Sequence, residues 1–288
     1  MIHPTAVIEK GAVLAEDITV GPYAVIERMV VLKRGVTVSA FAHLKGDTHI
    51  GENTFIGTGA LIGEVPQILG CRQAGGKVYI GKNNVIREYV TIHTSSSQDK
   101  ITSIGDNNYL MGFSHVAHDC NLKNNIIVCN GALIAGHVEV QDRAFISGDV
   151  VIHQFVRIGR LAMIGGLSRV NQDIPPFMMV VGDSRVWGLN IVGLRRAKFT
   201  SHDIAEIKKT FNILYRSHLP LKSALEKIKG IDSGLVKEVA DFITPSKRGI
   251  CGPQKSSLLE KIFLDYPYFL RTKIPTYRLF LKSRKRPI

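Results

Sequence analysis

IHPTAVIEKGAVLAEDITVGPYAVIERMVVLKRGVTVSAFAHLKGDTHIGENTFIGTGALI, residues 2–62, carries Ile2, Ile8, Leu14, Val20, Ile26, Leu32, Val38, Leu44, Ile50, Ile56 and Ile62 at every sixth position, without a miss. The phase continues through Ile80, Ile104, Val116, Ile134 and Ile152 to Val170. Of its 29 positions between 2 and 170 only Ala74 and Gln98 are not Ile, Leu or Val, in a chain that is 45% hydrophobic. Two residues before each aliphatic stands a second, mostly small series: Ala6, Ala12, Ile18, Ala24, Val30, Val36, Ala42, Thr48, Thr54 and Ala60. Inward positions two apart are strand periodicity, and helices have no period of six. The pattern calls for a parallel β-helix of hexapeptides, its aliphatics stacked rung on rung, with three hexads per turn. Gly21, Gly51, Gly57, Gly63, Gly81, Gly105, Gly159 and Gly165, each just after an aliphatic, are expected to make tight corners.

Two segments interrupt the pattern. EVPQILGCRQAGGKV (64–78) puts Pro66 and Arg72 at small inward positions, and TSSSQDKI (94–101) puts Gln98 at an aliphatic one. Both are expected to bulge outward, and long loops in a compact repeat tend to be functional. The six-residue phase survives across them, Ile68 included. QDIPPF (172–177) is expected to end the strand register, because proline cannot donate to a ladder. From Thr200 the spacing of Ile204, Ile207, Phe211 and Leu214 predicts a helix opened by a Thr200–Asp203 capping box. Leu221–Lys229 and Leu235–Ile243 predict two more, capping the end of the β-helix. The expected divisions are 1–198 for the β-helix, 199–250 for the helical part and 251–288 for a basic, aromatic tail.

The 288 residues hold 37 Lys and Arg against 24 Asp and Glu, a formal charge of +13, which excludes an acidic disordered chain. Cys71, Cys120, Cys129 and Cys251 are dispersed and form no CxxC pair, which fits a reducing, cytoplasmic compartment. The N-terminus lacks the pattern of an export signal, and no apolar stretch is long enough for a transmembrane segment. Much of the excess charge lies in the tail without a recognition motif, so nucleic acid is not an expected partner.

Four histidines, His115, His118, His137 and His153, crowd the end of the repeat, and none falls on an inward register. With three hexads per turn they gather at one edge on neighbouring rungs, about 4.8 Å apart. Such a patch is consistent with a general base, a metal site, an anion-binding rim or a solvated edge. Asp119 is placed to support His118, while Gly136 offers either a backbone N–H for an oxyanion or simply a corner. Gln154 adds polar reach. Met111, Met163, Leu161 and Gly166 are candidates for an apolar groove, and Arg195 and Arg196 for contact with phosphate or an acidic carrier.

SHVAHDC (114–120), LIAGHVEV (133–140), VIHQFVRIG (151–159), QDIPPF and GLNIVGLRR (188–196) resemble the bacterial UDP-N-acetylglucosamine acyltransferases that begin lipid A synthesis. The likeness spans about Ile2 to Gly249. It implies a left-handed β-helix with a C-terminal α-helical cap, assembled as a homotrimer with sites between subunits. It implies transfer of a long, possibly 3-hydroxylated acyl group from acyl carrier protein to the 3-hydroxyl of UDP-N-acetylglucosamine, with no cofactor and no metal. By this resemblance His118 is the base, Asp119 its support and Gly136 the oxyanion donor. His115, His137, His153, Gln154, Asn190 and Arg196 contact the substrates. Met111, Met163 and Gly166 line the acyl pocket, Gly166 setting its length. Ile68, Gly70, Val192 and Ala197 depart from the family pattern of acid, lysine, glutamate and arginine. They keep open a 3-amino sugar nucleotide as acceptor. Zinc carbonic anhydrases on this fold and a non-enzymatic scaffold are the more distant alternatives.

Overall fold

The computed structural model describes residues 1–71 and 75–254. From Val7 to Val170 short strands of two to four residues alternate with turns, and every third strand stacks parallel on its predecessor, building three faces. The first face runs from Val7–Ile8 to Arg169–Val170, the second from Val13–Leu14 to Arg157–Ile158. The third runs from Thr19–Val20 to Met163–Ile164 and beyond. Regular partners lie three hexads apart, as Val7 with Val25 and Phe145 with Met163. This is the left-handed parallel β-helix of hexapeptides that the sequence leads one to expect.

The two interruptions are excursions from the coil. Thr48 pairs with Val78, five hexads on, and Val78 with Thr102, four hexads on. The excess over a regular turn is two hexads and then one, which is why the phase reappears intact beyond each loop. Ile68 keeps the phase but not the burial: it is 40% exposed in the first loop and supports no rung.

The aliphatic column is dry. Ile26, Leu44, Ile62, Ile92, Val116, Ile134 and Ile152, one above another on the first face, are all 0% exposed. Truncating one to alanine would remove about 2–5 kcal/mol. Polar residues share the small inward series where they can serve the backbone: buried Asn84 and Asn108 donate to the Gly105 and Lys123 carbonyls at 2.8 and 3.0 Å.

Gly63 turns the chain with a φ of 87°, but at other positions after the aliphatics glycine is needed for a different reason. No left-handed φ occurs at Gly51, Gly57 or Gly159, but a Cβ at Gly57 would lie 2.5 Å from the Arg87 carbonyl carbon, and one at Gly159 2.3 Å from the Pro176 nitrogen. At these points successive rungs come too close for a side chain, although the same slot carries Glu27, Arg87 and Met111 elsewhere. The left-handed residues fall three positions after each aliphatic. There Tyr23, Phe41, Asn53, Tyr89, Phe113, Asp119, His137 and Phe155 have φ between 54° and 66°. Each such corner costs about 1–2 kcal/mol. Backbone hydrogen bonds between rungs offset it, as from the Tyr89 N–H to Thr58 O at 3.0 Å.

Pro175 and Pro176 end the six-residue phase but not the sheet. Ile174 bridges to Ile158, and Met178–Val181 pairs in parallel with Met163–Ile164 before a hairpin returns Arg185–Leu189 antiparallel. Gly252–Pro253 then adds to that last strand, and Cys251 is fully buried, so the chain past Gly249 rejoins the coil. The 251–288 tail expected from composition therefore starts too early; residues from 255 lie outside those described. Helices α1 (Ile191–Arg196), α2 (Ser201–Tyr215), α3 (Leu221–Lys229) and α4 (Gly234–Ile243) come after the hairpin. The Thr200–Asp203 capping box closes in both directions. Helix α1 falls inside the stretch assigned to the β-helix, and coil and helices form one compact unit, Met1–Pro253. Leu161, Phe177, Leu194, Ile207, Val239 and Phe242 weld them together, and Arg160 clamps Glu238 with two bonds of 2.8 and 2.6 Å. Among the described residues no helix is long and apolar enough to cross a membrane.

Gly57→Ala should cost about 1–3 kcal/mol, because the atoms it meets are backbone and cannot turn aside. Gly188→Ala, whose Cβ would meet nothing within 4 Å, should stay near wild type. Urea unfolding of the two variants side by side checks the difference.

Candidate active site

His118 and His137 meet at the corner that joins the first face to the second, just beyond His115–Val116, Leu133–Ile134 and Val151–Ile152. Two columns climb this corner in steps of three hexads: His118, Gly136 and Gln154, and beside them Asp119, His137 and Phe155. Rung-to-rung hydrogen bonds fix both, the His137 N–H donating to His118 O and the Phe155 N–H to Gly136 O, each at 3.0 Å. Asp119, His137 and Phe155 hold the left-handed slot. That backbone turn aims Asp119 back toward its own neighbour, which an extended strand would not allow.

His118 Nδ1–H donates to Asp119 Oδ2 at 2.7 Å, leaving Nε2 free. The imidazole lies directly over Gly136, where a Cβ would sit 2.6 Å from Cε1 and 2.7 Å from Nε2. Any side chain at 136 would displace the ring. Among the described residues nothing accepts the Gly136 N–H. The His137 ring meets His118 edge-on with centroids 5.1 Å apart and stacks on Phe155 at 4.5 Å. Asp119, with its side chain 4% exposed, would be raised by burial alone. Hydrogen bonds from Ser95, Ser96 and His118 outweigh that and hold the carboxyl far below the usual range.

A second imidazole pair lies on the first face. His115 hydrogen-bonds Thr91 Oγ1 at 2.7 Å and meets His93 at 5.1 Å between centroids. Buried His93 donates from Nδ1 to Val65 O at 2.6 Å and so anchors the root of the 65–76 loop. Burial first, then the neighbouring His93 and His118, pushes His115 down to about 4. Burial likewise lowers His93 and His137, Asp119 partly countering it at His137.

The other expected site residues scatter within one chain. His153 is exposed, with Nδ1 3.3 Å from Gln154 O. Asn190 does not reach the patch: it is 7% exposed and caps α1, accepting from the Gly193 N–H and donating to Leu161 O. Arg195 and Arg196 are exposed in the last turn of α1. Met111, Met163 and Gly166 are not near His118 in the same chain. Met163 lies on the third face, and Met111 and Gly166 lie at the corner between third and first faces. Leu161, read as a groove residue, is 4% exposed and part of the junction with the helices. Sequence reasoning missed His93, Ser95, Ser96 and Phe155. Phe155 was reachable by stepping three hexads on from His137, and the serines lay inside the segment already singled out as a loop.

His118, Asp119 and His137 offer ligand atoms within 4.8 Å of one another, enough to consider a metal. The Asp119 oxygens are, however, engaged by Ser95, Ser96 and His118. A carboxylate so committed orients an imidazole better than it binds a cation, and proton transfer is the chemistry the arrangement favours.

Residues 173–251 match the family described as UDP-N-acetylglucosamine O-acyltransferase, domain 2. An acyl-(acyl-carrier-protein)-UDP-N-acetylglucosamine O-acyltransferase of Gloeothece citriformis is 46% identical over 247 residues, 85% of this chain and 90% of the relative. That of Aliarcobacter butzleri is 45% identical, over 86% of this chain and 97% of its own length. Among solved structures, the UDP-N-acetylglucosamine acyltransferase of Bacteroides fragilis superimposes with a TM-score of 0.84 at 37% identity, covering 87% of this chain and 99% of that one. The Campylobacter jejuni enzyme gives 0.83 at 38%, covering 88% and 100%.

His115 sets a pH signature. Its folded value near 4 lies below the ordinary 6.5, so the unfolded chain binds more protons between the two. That contribution to stability is complete above about pH 6.5 and is lost as pH falls toward 4. Asp119 adds nothing to the slope there, since its contribution is lost only below the ordinary carboxylate range. Urea midpoints from pH 7 to 4.5 should fall less steeply for His115→Gln than for wild type.

Proposed function

This chain belongs to the acyl-(acyl-carrier-protein)-UDP-N-acetylglucosamine O-acyltransferase family, and from that premise we propose how its own residues carry the reaction. It is an acyltransferase that moves a fatty acyl group from acyl carrier protein to UDP-N-acetylglucosamine, the first step of lipid A synthesis. The observation that carries the mechanism is the His118–Asp119 pair seated over Gly136.

Asp119 accepts from Nδ1 and so fixes the His118 tautomer, leaving Nε2 as the base. Nε2 takes the proton of the sugar 3-hydroxyl as that oxygen bonds to the thioester carbonyl carbon. The carbonyl oxygen becomes an oxyanion, held by the Gly136 N–H beneath the ring. When the intermediate collapses, the C–S bond breaks, and His118 returns the proton to the departing pantetheine thiolate. Base and oxyanion donor belong to stacked rungs, so one reacting carbon can face both. Burial keeps His115 and His137 neutral near pH 7, suited to hydrogen bonding with the sugar nucleotide beside His153 and Gln154.

The acyl pocket requires a second copy of the chain. Met111, Met163 and Gly166 occupy elements separated from His118 by the whole first face. The third face presents an outward row of half-buried apolar residues, Phe55, Val85, Tyr109, Ile127, Phe145 and Met163. Covering that row with a neighbour favours a homotrimer whose sites are shared between subunits. Arg196 is then the exposed cation for the acidic carrier protein, and the dispersed cysteines support a cytoplasmic setting for the reaction.

His118→Ala should reduce turnover by about 10²–10⁴-fold while leaving the thermal transition unchanged, with O-acyl product measured by mass spectrometry. Wild-type turnover in that variant would remove the base assignment. Gly166 is exposed, its nearest neighbour to an added Cβ being Gly148 O at 3.5 Å. Gly166→Met should therefore fold normally and shift acyl preference to shorter chains in competition among acyl carrier proteins. An unmoved preference would overturn the pocket assignment.

A further inference from the structure

Asp119 supports the base, but on its own it is poorly placed to do so, because its side chain is 4% exposed and burial disfavours its charge. The one-hexad excursion after Ile92–His93 makes up the difference. Ser95 Oγ is hydrogen-bonded to Asp119 Oδ1. The Ser96 hydroxyl donates to Oδ2 at 2.6 Å and the Ser96 N–H to the same oxygen at 3.3 Å. His118 adds its Nδ1–H at 2.7 Å, so both oxygens are engaged and four donors converge on one carboxylate. The excursion is itself braced, since the Ser97 N–H donates to Ser95 Oγ at 3.2 Å and the Ser95 N–H to Lys77 O at 3.4 Å. On the other side the Asp119 N–H donates to Thr102 Oγ1 at 2.8 Å, where the chain rejoins the coil.

A regular turn would supply the His118 donor but none of those from Ser95 and Ser96. The corner columns elsewhere repeat every three hexads and leave the left-handed residue facing solvent, as Tyr89, Phe113 and Phe155 do. At Asp119 a hexad inserted one rung earlier folds the chain back over this slot. The insertion thus lies at a corner where a carboxylate must remain ionised and immobile in a buried place.

We propose that Ser95 and Ser96 are positioning residues for the acyl transfer, a hydroxyl clamp that fixes the Asp119 carboxylate so that it holds His118 with Nε2 turned toward the acceptor. The proposal rests on the reading of His118 and Asp119 as base and support. The serines touch neither substrate nor reacting atoms in it; they act through Asp119 alone. Removing both hydroxyls leaves two of the four donors, the residue-96 N–H and His118, on a carboxylate that can then rotate or bind a proton, and His118 loses its fixed tautomer.

The test is steady-state kinetics on the full-length protein, with thermal unfolding as a control for folding. Ser96→Ala and Ser95→Ala/Ser96→Ala should lower kcat, the double variant by about ten- to a hundredfold, the range found when the outer partners of metal-bound imidazoles are lost. KM for UDP-N-acetylglucosamine and for acyl carrier protein should stay within about twofold, because no substrate contact is removed. Ser96→Thr, which keeps the hydroxyl, should restore most of kcat. In an Asp119→Ala background the serine substitutions should change nothing further, since their target is gone. A rise in KM with kcat intact would make them substrate contacts and overturn the clamp. Additive losses in the Asp119→Ala background would do the same. If Asp119→Ala and His118→Ala themselves keep full turnover, it is the catalytic reading that fails; if those two are inactive and the serine variants are not, the clamp alone is wrong.

Discussion

Each turn of this coil rests its backbone on the turn beneath, at some corners so closely that no side chain fits between them, and the rest of the molecule is arranged around that contact. It places glycine at Gly51, Gly57 and Gly159, where a Cβ would penetrate the backbone of the adjoining rung. It forces the left-handed conformation onto a fixed slot in the hexad, even when the residue there is as bulky as Tyr89 or Phe113. It also brings residues far apart in sequence within a few ångströms of each other without any specific contact having to recruit them. His118 and His137 meet because each occupies a set position on the coil.

The same regularity explains which features can be read from the chain and which cannot. The column through Ile26, Val116 and Ile152 is visible as a period, because burial on a repeating backbone makes the same demand at every step. The helices are visible through local chemistry, down to the reciprocal bonds of Thr200 and Asp203. Ile68 misleads because an inserted loop of whole hexads keeps the count while leaving the core. Asn190 shows a different limit: its capping of a short helix, through the Gly193 and Leu161 partners, does not show in the sequence. The role of the glycines after the aliphatics is also hidden, since a turn and a close approach call for the same residue.

Within the site, the legible residues are those that stay on the coil and the illegible ones are those that leave it. Rung arithmetic assembles His118, Gly136, His137 and Gln154, and extends to Phe155. No arithmetic brings Ser95 and Ser96 onto Asp119, or ties His93 to Val65, because those contacts come from excursions whose paths the period does not govern. Met111, Met163 and Gly166, proposed above for the acyl pocket, are legible only as a set. Their separation from His118 by an entire face has meaning once a neighbouring chain is considered, and no single chain displays that relation.

The three-hexad turn has a consequence for how such a protein can change over generations. A tandem duplication or deletion of one turn is nearly silent for the fold, because every new junction repeats an existing one. For the site it is not silent. Copy number altered between the Asp119 and Phe155 rungs would slide one half of the corner past the other by about 4.8 Å, more than a proton transfer tolerates. The number of turns in this stretch is accordingly set by chemistry, whereas turns nearer the N-terminus are free to vary in number so long as the coil stays closed.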